Sequence, residues 1–372
     1  MKVLIVSSSF PPYTGGAATL MYNLCKYLPQ DSFSVITTST EMNKCDREYG
    51  LDCRVFRISG HSGRHFDGLK FFLLTIVKGL LLNRIEPVDC FLAVYPSEFD
   101  LYAAYVLSKL TRKPLLLYMH DLFSENYSRA KLYTQLKFVE NRVFSSASAV
   151  IVTNENFKDH YTKRGIRNIL VFHSCVDLSE WGRTELQNTA PSHQNLRIVF
   201  TGNVWETNED AILCFFNAIK KRTDLDIIFA TSSQAPYLGK FSVGFVSKKQ
   251  CLELQKSADV LLLPLAFKPS CREEISVAFP CKMLEYLAVG KPILAIAPKN
   301  SFVANFIKRN NVGIVLTSLS EEKIDAAIDK LKDEQTRSNF SENALNTVKS
   351  FDANIQADRL LSIIRLFGQK AS

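Results

Sequence analysis

The sequence predicts an α/β protein made of two doubly wound domains, and three observations lead to this fold class. The chain has 372 residues, 47% of them hydrophobic, and this length exceeds what a single core usually serves. Short apolar runs alternate with longer stretches of helical periodicity, as in parallel sheets covered by helices on both faces. A polar stretch at 182–195, GRTELQNTAPSHQN, interrupts the alternation, and we interpret it as an interdomain linker.

The first predicted domain covers residues 1–181. Its candidate strands are 2–8, 33–38, 53–59, 89–95, 114–120, 149–154 and 169–173. Apolar residues at helical spacing between these strands predict helices that include 17–28 and 97–110. Such an order of buried strands and helices is typical of a Rossmann-like domain.

The second predicted domain covers residues 196–352. Its candidate strands are 197–203, 225–231, 241–246, 259–265, 292–297 and 312–316, and its helices include 209–221, 248–257 and 281–289. A further helical pattern at 353–369 closes the chain. We expect the two domains to face each other across a cleft. Ligands of doubly wound sheets bind beyond the carboxyl ends of the strands, so the candidate site residues are those that directly follow strands.

The charge of the chain favours anionic partners. It carries 45 Lys and Arg against 37 Asp and Glu, a net charge of +8, which suits nucleotides, phosphorylated substrates or acidic lipid surfaces. The basic residues form no Lys/Arg-rich tract, and this argues against nucleic-acid binding.

The cysteines and the apolar segments predict a cytoplasmic protein without a membrane span. Nine cysteines are present, none at CxxC spacing, so reduced thiols are expected rather than zinc ligands or disulfides. The longest apolar segment, FFLLTIVKGLLL at 71–82, is shorter than the roughly 20 residues that a span needs. The N-terminal MKVLIVSSSFPP has too short an apolar stretch for a signal peptide.

Three loops after predicted strands carry candidate binding residues. Gly15 and Gly16 precede a helix, where backbone amides attract anions; the alternative is a plain tight turn. His120 ends a strand and can hydrogen-bond a phosphate or hydroxyl, or it is a satisfied core histidine. Gly202 and Asn203 follow the first strand of the second domain, where a simple turn is the alternative.

The stretch FPCKMLEYLAVGKPILA places two charges in an apolar run. Pro280 suits the first position of a helix, and Gly290 is a good C-terminal stop. Lys282 then lies at the positive end of the helix dipole, where a cation is unfavourable unless an anion binds there. Glu285 lies on the same face one turn later, and a carboxylate there can accept hydrogen bonds from a ribose. The alternative is a surface Lys–Glu pair of little energetic weight.

These motifs resemble those of retaining glycosyltransferases of family four, which have the GT-B fold. The similarity is carried by FPCKMLEYLAVGKPILA together with FPPYTGGAATLMYNL, YMHDL, NILVFHSCVDLSEW and ADVLLLPL, and it is closest to members that build bacterial surface polysaccharides such as lipopolysaccharide or capsule. It implies that helix 353–372 packs back on the first domain.

The resemblance also implies roles for individual residues. Glu285 would bind the nucleotide ribose, and Lys282 with the amide of Cys281 would hold the donor diphosphate. Gly16 would approach the diphosphate from the first domain. His120 would lie near the transferred sugar, so His120 and Lys282 are the catalytic candidates. Phe245 and Val246 would line the nucleobase.

Two departures from the family pattern keep a second function open. Val277 stands where many members have a glutamate that contacts the sugar, although Glu273 and Glu274 are nearby. No Arg or Lys follows in NVWETNED after the first strand of the second domain, so Lys282, with Arg272 as a helper, would neutralise the diphosphate. A catalytically silent partner or scaffold protein is the alternative. An epimerase on the same fold would need further carboxylates and histidines.

The implied substrates are a UDP- or GDP-sugar donor and a glycan or lipid-linked glycan acceptor. The sequence contains no metal-ligand cluster, and we expect neither a metal nor another cofactor. Two basic and apolar segments, 66–87 and 129–144, are candidates for peripheral contact with an anionic membrane, at the inner face of the plasma membrane. The alternative for both is a helix packed on its own domain.

Overall fold

The computed structural model divides into two compact units. The structure describes residues 1–13, 15–39, 51, 53–58, 65–127, 133–181, 195–268, 270 and 272–368. The first unit comprises Met1–Cys175 and Ala353–Ser372, and the second comprises Val176–Asp352. The predicted linker falls on 182–195, of which 182–194 lie outside the described residues, and the boundary between the units precedes it.

The first unit is built on a parallel seven-stranded sheet. Its strands are β1 (Val3–Val6), β2 (Phe33–Thr38), β3 (Arg54–Ile58), β4 (Cys90–Tyr95), β5 (Leu115–Met119), β6 (Ala149–Val152) and β7 (Ile169–Val171), in the spatial order β3-β2-β1-β4-β5-β6-β7. From β1 the chain proceeds outward through β2 to β3, and from β4 it proceeds in the other direction to β7, so the strand order reverses between β1 and β4. The inner strands β1, β4, β5 and β6 are buried along their whole length, which explains why they read as continuous apolar runs.

Helices cover this sheet. They are α1 (Gly16–Tyr27), α2 (His65–Ile85), α3 (Glu98–Thr111), α4 (Tyr133–Ser146) and α5 (Glu155–Lys163), with short 3-10 helices at Gln30–Ser32 and Ser124–Tyr127. Asn154 caps α5 by accepting a hydrogen bond from the amide of Phe157 at 3.0 Å.

The second unit begins with α6 (Leu178–Trp181) and is built on a parallel five-stranded sheet. Its strands are β8 (Leu196–Thr201), β9 (Leu225–Ala230), β10 (Val260–Pro264), β11 (Ile293–Ile296) and β12 (Gly313–Leu316), in the order β12-β11-β10-β8-β9. Its further helices are α7 (Glu209–Ile219), α8 (Lys248–Ser257), α9 (Arg272–Val277), α10 (Cys281–Ala288), α11 (Phe302–Asn310), α12 (Glu321–Leu331) and α13 (Glu334–Val348), with 3-10 helices at Pro236–Phe241 and Lys349–Phe351.

The last helix, α14 (Ala353–Gly368), belongs to the first unit and packs on α1. Its buried side chains join the core that surrounds β1 and β4, and they include Leu360 and Ile364. The last helix of the chain therefore contributes to the core of the first unit.

One predicted strand is wrong. Phe241 ends the 3-10 helix, and residues 242–246 form a loop with a single isolated bridge between Phe229 and Ser242. Gly244 has a φ of +75°, a left-handed conformation that ends the extended backbone. The other predicted strands and helices are confirmed, with ends that differ by a few residues. Among the described helices, none is both long and apolar enough to cross a membrane.

Candidate functional site

Helix α10 carries the two charges that the sequence singled out. It begins at Cys281, and Pro280 is its N-cap rather than its first helical residue, with a φ of −61° and a ψ of 127°. The prediction of Pro280 inside the helix is therefore wrong by one position, because the extended ψ of Pro280 keeps it outside the first turn. Gly290, with a φ of +67°, follows the helix as predicted.

Three contacts position α10, at its start, in its second turn and just after its end. The amide of Thr201, at the end of β8, donates to the hydroxyl of Tyr286 at 3.2 Å. Phe279, just before the helix, packs against Phe302 at 5.0 Å between ring centroids, with the rings tilted by 56°. Gly290 leaves room for Leu345, since a Cβ there would lie 2.8 Å from its side chain. These contacts, with the one to Thr201 at the carboxyl end of β8, position α10 at that edge of the sheet.

The side chain of Lys282 runs between Phe200 and Gly202. Its Nζ lies 4.4 Å from the centroid of the Phe200 ring, a cation–π contact. A Cβ at Gly202 would lie 2.5 Å from the same Nζ, and Gly202 has a φ of +121°. Glycine at this position therefore serves two purposes, the backbone turn and the space for the ammonium group.

The ammonium of Lys282 has no anionic partner within salt-bridge distance in the part of the chain that the structure describes. The surface Lys282–Glu285 ion pair, the alternative to a binding role, is therefore absent. Burial lowers the pKa of Lys282 to about 8, while the negative charge of Glu285 acts in the opposite direction. A cation that is partly dehydrated and lies at the positive end of a helix dipole is a favourable place for an anion.

Glu285 is oriented by Gln255 of α8. Nε2 of Gln255 donates to Oε2 of Glu285 at 3.2 Å and to the hydroxyl of Thr201 at 3.0 Å. Burial raises the pKa of Glu285, against the lowering effects of the Gln255 hydrogen bond and the Lys282 charge. No hydrogen bond from a described residue occupies Oε1, so this oxygen can accept from a ligand.

Three other candidates of the second unit lie in loops. Oδ1 of Asn203 accepts from the hydroxyl of Ser232 at 2.6 Å, which joins the loops after β8 and β9. Phe245 is 82% exposed, and Val246 is half-buried. Both precede α8, the helix that carries Gln255, and an exposed aromatic ring at this point can stack on a planar ligand.

The glycines of the first unit lie at the start of α1. Gly15 is the N-cap, with no side-chain hydrogen bond to the first turn, and Gly16 is the first helical residue. Both are exposed. The initial amides of α1 have no intrahelical acceptor, so this helix start can also receive an anion.

His120 directly follows β5, and the carboxyl end of β5 lies on the same sheet edge as that of β1, with β4 between them. Its ring lies 4.3 Å from that of Tyr118. Burial lowers the pKa of His120 to about 3, so the imidazole is neutral at physiological pH. Its Nε2 has no hydrogen-bond partner among the described residues and remains available to a ligand.

Sequence reasoning missed two further supports, Asp100 in the first unit and Gln255 in the second. Asp100 of α3 accepts hydrogen bonds from both the amide and the hydroxyl of Ser8 at 2.8 Å, and burial raises its pKa to about 7. Gln255 is also fully buried. A glutamine in a helix gives no local signal, so only its contacts with Glu285 and Thr201 identify it.

A buried ion network holds the loop that follows His120. Arg164 of α5 donates to Glu125 at 2.7 Å and to Glu140 of α4 at 2.5 Å, and His160 contacts Glu125 at 2.9 Å. Because Glu125 lies in the 3-10 helix Ser124–Tyr127, the network attaches the segment after His120 to α4 and α5.

The two departures from the family pattern have definite places in the second unit. Val277, at the end of α9, is buried, 4% exposed. Glu273 and Glu274 are exposed, so neither takes the place of a carboxylate at position 277. Arg272, the proposed helper of Lys282, is exposed at the start of the same helix.

Other features of the described residues lie apart from these candidates. No group of three or more His, Cys, Asp or Glu among those residues could hold a metal ion. A cavity of about 100 Å³ is lined by Lys2, Arg54, Ile85 and neighbouring residues. It lies at the amino ends of β1–β3, the sheet edge opposite His120, where doubly wound sheets do not bind their ligands.

Two family models match the chain one after the other. The model described as Glycosyltransferase Family 4 matches residues 14–180, and the model described as Glycosyl transferases group 1 matches residues 240–347. Two Rossmann-like units with these signatures define a GT-B glycosyltransferase. The chain belongs to the family-four type of glycosyltransferases.

Solved structures share the fold over nearly the whole chain. Sucrose-phosphate synthase from Thermosynechococcus elongatus has a TM-score of 0.74 at 16% identity, covering 98% of each chain. Anabaena HepE in complex with UDP has a TM-score of 0.73 at 16% identity, covering 98% of this chain and 100% of its own, and HepE was also solved with UDP-glucose. WaaG, a glycosyltransferase involved in lipopolysaccharide biosynthesis, has a TM-score of 0.67 at 15% identity, covering 97% and 99%. The search of curated proteins found no match.

Proposed function

We propose that this glycosyltransferase moves a sugar from a nucleoside-diphosphate donor to a glycan or lipid-linked glycan acceptor, with retention of the anomeric configuration, in the assembly of a bacterial surface polysaccharide. One observation carries the proposal for the donor. The ammonium of Lys282 lies at a helix N-terminus, beside Gly202 and without a carboxylate partner in the described chain. A diphosphate supplies the negative charge that this arrangement favours.

Lys282 and the first amides of α10 would stabilise the leaving group. As the bond between the anomeric carbon and the diphosphate oxygen breaks, its electron pair moves to the diphosphate, and the sugar ring becomes positive. Donors placed in advance around that oxygen lower the barrier by about 3–4 kcal/mol each. Since a fixed cation is already provided, we propose that the reaction needs no metal ion, and activity should persist in EDTA.

Glu285 would bind the ribose of the donor. Its Oε2 accepts a hydrogen bond from Gln255, which leaves Oε1 for the ribose. A carboxylate can accept from two hydroxyls at once. Phe245 and Val246 would contact the nucleobase. HepE is solved with UDP and with UDP-glucose, which favours a uridine donor over a guanosine donor.

The first unit would contribute Gly15, Gly16 and His120. The glycines allow the backbone of α1 to approach a phosphate closely. Neutral His120, whose Nε2 has no partner among the described residues, would hydrogen-bond a hydroxyl of the transferred sugar. An imidazole with a pKa of about 3 stays neutral near pH 7, so it can hydrogen-bond a hydroxyl but is not a general acid there.

The test is release of nucleoside diphosphate from UDP- and GDP-sugars by the purified chain, with the product anomer read by NMR. Lys282→Ala should lower turnover by about two to three orders of magnitude. Lys221→Ala, which removes an exposed lysine of the same unit, is the matched control and should be unaffected. Normal turnover in Lys282→Ala would contradict the proposal.

A catalytically silent partner protein is the second candidate, and the buried Val277 favours it. Such a protein would bind UDP through Lys282 and Glu285 but release no sugar from any donor. Nucleotide binding in a thermal-shift assay together with no donor hydrolysis and no transfer to any glycan acceptor would decide for this alternative. Slow hydrolysis of one donor in the absence of acceptor would decide for the enzyme.

A further inference from the structure

Helix α2 presents an unusually apolar face to the solvent. Six of its aliphatic side chains are exposed, and Ile85 reaches 81%. The others are Leu69, Leu73, Leu74, Val77 and Leu81. Their positions fall within an arc of about 160° at 100° per residue and extend over about 24 Å of helix. Isolated exposed apolar residues are ordinary, but a continuous stripe of this size marks an interaction surface.

The opposite face of α2 is already packed inside the first unit. A Cβ at Gly68 would lie 2.2 Å from the ring of Phe99, and one at Gly79 would lie 2.6 Å from Leu107, so the helix lies very close to α3. Phe71 and Thr75 are fully buried between these glycines. A helix that is apolar on both faces is normally buried on both. The inner face has its partner in α3, and the outer face lacks one among the described residues.

The charges around this face are positive. Lys70 and Arg84 are exposed within the same arc, and Nζ of Lys78 lies at its border, 4.8 Å from the ring of Phe56. Asp67, in the first turn, is the one acidic residue in the sequence of α2, and residues 68–85 contain no Asp or Glu. Glu86, the next residue, falls outside the arc and pairs with Lys2 at 2.7 Å and with Arg54 at 2.8 Å.

We propose that this face of α2 docks in the plane of an anionic lipid bilayer, with the aliphatic side chains inserted below the headgroups and Lys70 and Arg84 against lipid phosphates. A second copy of the chain fits less well. Two such faces in contact would bring three basic residues of each helix together with only Asp67 of each to compensate, whereas an acidic membrane supplies the missing anions. The inference is independent of the donor site.

The experiment is co-sedimentation of the full chain with vesicles of phosphatidylcholine alone and with vesicles that also contain phosphatidylglycerol. We expect binding to the anionic vesicles and weaker binding as salt rises. The double variant Leu73→Glu, Val77→Glu should lower the partition coefficient by about tenfold or more. The matched control is Leu110→Glu, which alters a side chain of α3 that is 61% exposed, and it should bind as the parent does.

Two further measurements test this interpretation. Lys70→Glu combined with Arg84→Glu should abolish the preference for anionic vesicles, and all variants should keep the melting temperature and the UDP response of the parent. Absence of binding to anionic vesicles by the parent chain overturns the proposal. So does a dimer in sedimentation equilibrium that the Leu73→Glu, Val77→Glu variant dissociates, since the face would then be an interface between two copies.

Discussion

Replacement of Lys282 by Met should stabilise the fold and abolish donor binding at the same time. The pKa of this lysine falls from 10.5 to about 8 through burial. At about 1.4 kcal/mol per pH unit, this corresponds to a penalty of roughly 3 kcal/mol on the charged form. The lost contact with the Phe200 ring offsets about 1 kcal/mol. We therefore expect Lys282→Met to gain roughly 1–2 kcal/mol of stability near neutral pH.

The pH dependence of this difference has a definite sign. Lys282 has a lower pKa in the folded chain than in the unfolded chain, so the unfolded chain binds more protons between about pH 8 and 10.5. The stability of the parent contributed by this group therefore rises across that interval, while the Met variant has nothing to titrate there. The advantage of the variant should be full below about pH 8 and should disappear as the pH approaches 10.5.

The assay is the melting temperature measured near neutral pH and in alkaline buffer, with and without UDP. For a unit of this size, 1 kcal/mol corresponds to about 2–4 °C, so the variant should melt a few degrees higher than the parent near neutral pH. UDP should raise the melting temperature of the parent but leave Lys282→Met unchanged. Lys221→Met is the control. A variant that melts lower at neutral pH, or that still responds to UDP, would refute the reasoning.

Three further predictions use the same contacts. The affinity for UDP should fall as the pH rises through about 8, because Lys282 loses its charge, and Lys282→Arg should remove this dependence in calorimetric titrations. Gly202→Ala should weaken UDP binding at least tenfold, a loss of about 1.4 kcal/mol of binding free energy. The added Cβ would lie 2.5 Å from Nζ of Lys282 and would displace the ammonium group. Arg164→Met should cost about 3–5 kcal/mol in chemical denaturation because it leaves buried Glu140 unpaired, whereas Arg222→Met, whose carboxylate partners are exposed, should cost about 1 kcal/mol or less.

The alternation of strands and helices could be predicted because it depends on local periodicity. Strands buried on both faces, such as β4 and β5, are continuous apolar runs whatever lies beside them. The same reasoning failed at 241–246, where an apolar run contains Gly244. Whether a glycine adopts a positive φ depends on the turn that the surrounding structure requires. The apolar run at 241–246, taken by itself, is equally compatible with a strand.

The candidate residues of α10 could be predicted for a related reason. A lysine at a helix start and a glutamate one turn later conflict with the local rules for stable helices, and such conflicts often mark functional positions. Gln255 and Phe200 could not be identified in this way, since a glutamine in a helix and a phenylalanine in a strand conflict with no local rule. Their contacts with Glu285 and Lys282 arise between distant segments.

The sequence by itself determined the α/β class, the positions of the strands and of several helices, and the charged pair of α10, because each of these follows from the spacing of residue types along one segment. The tertiary structure alone decided that Lys282 lies against Gly202 without a carboxylate partner among the described residues, that Gln255 holds Glu285, and that one face of α2 remains exposed. Those facts depend on which side chains meet across separate elements, and the packing of the whole unit determines that.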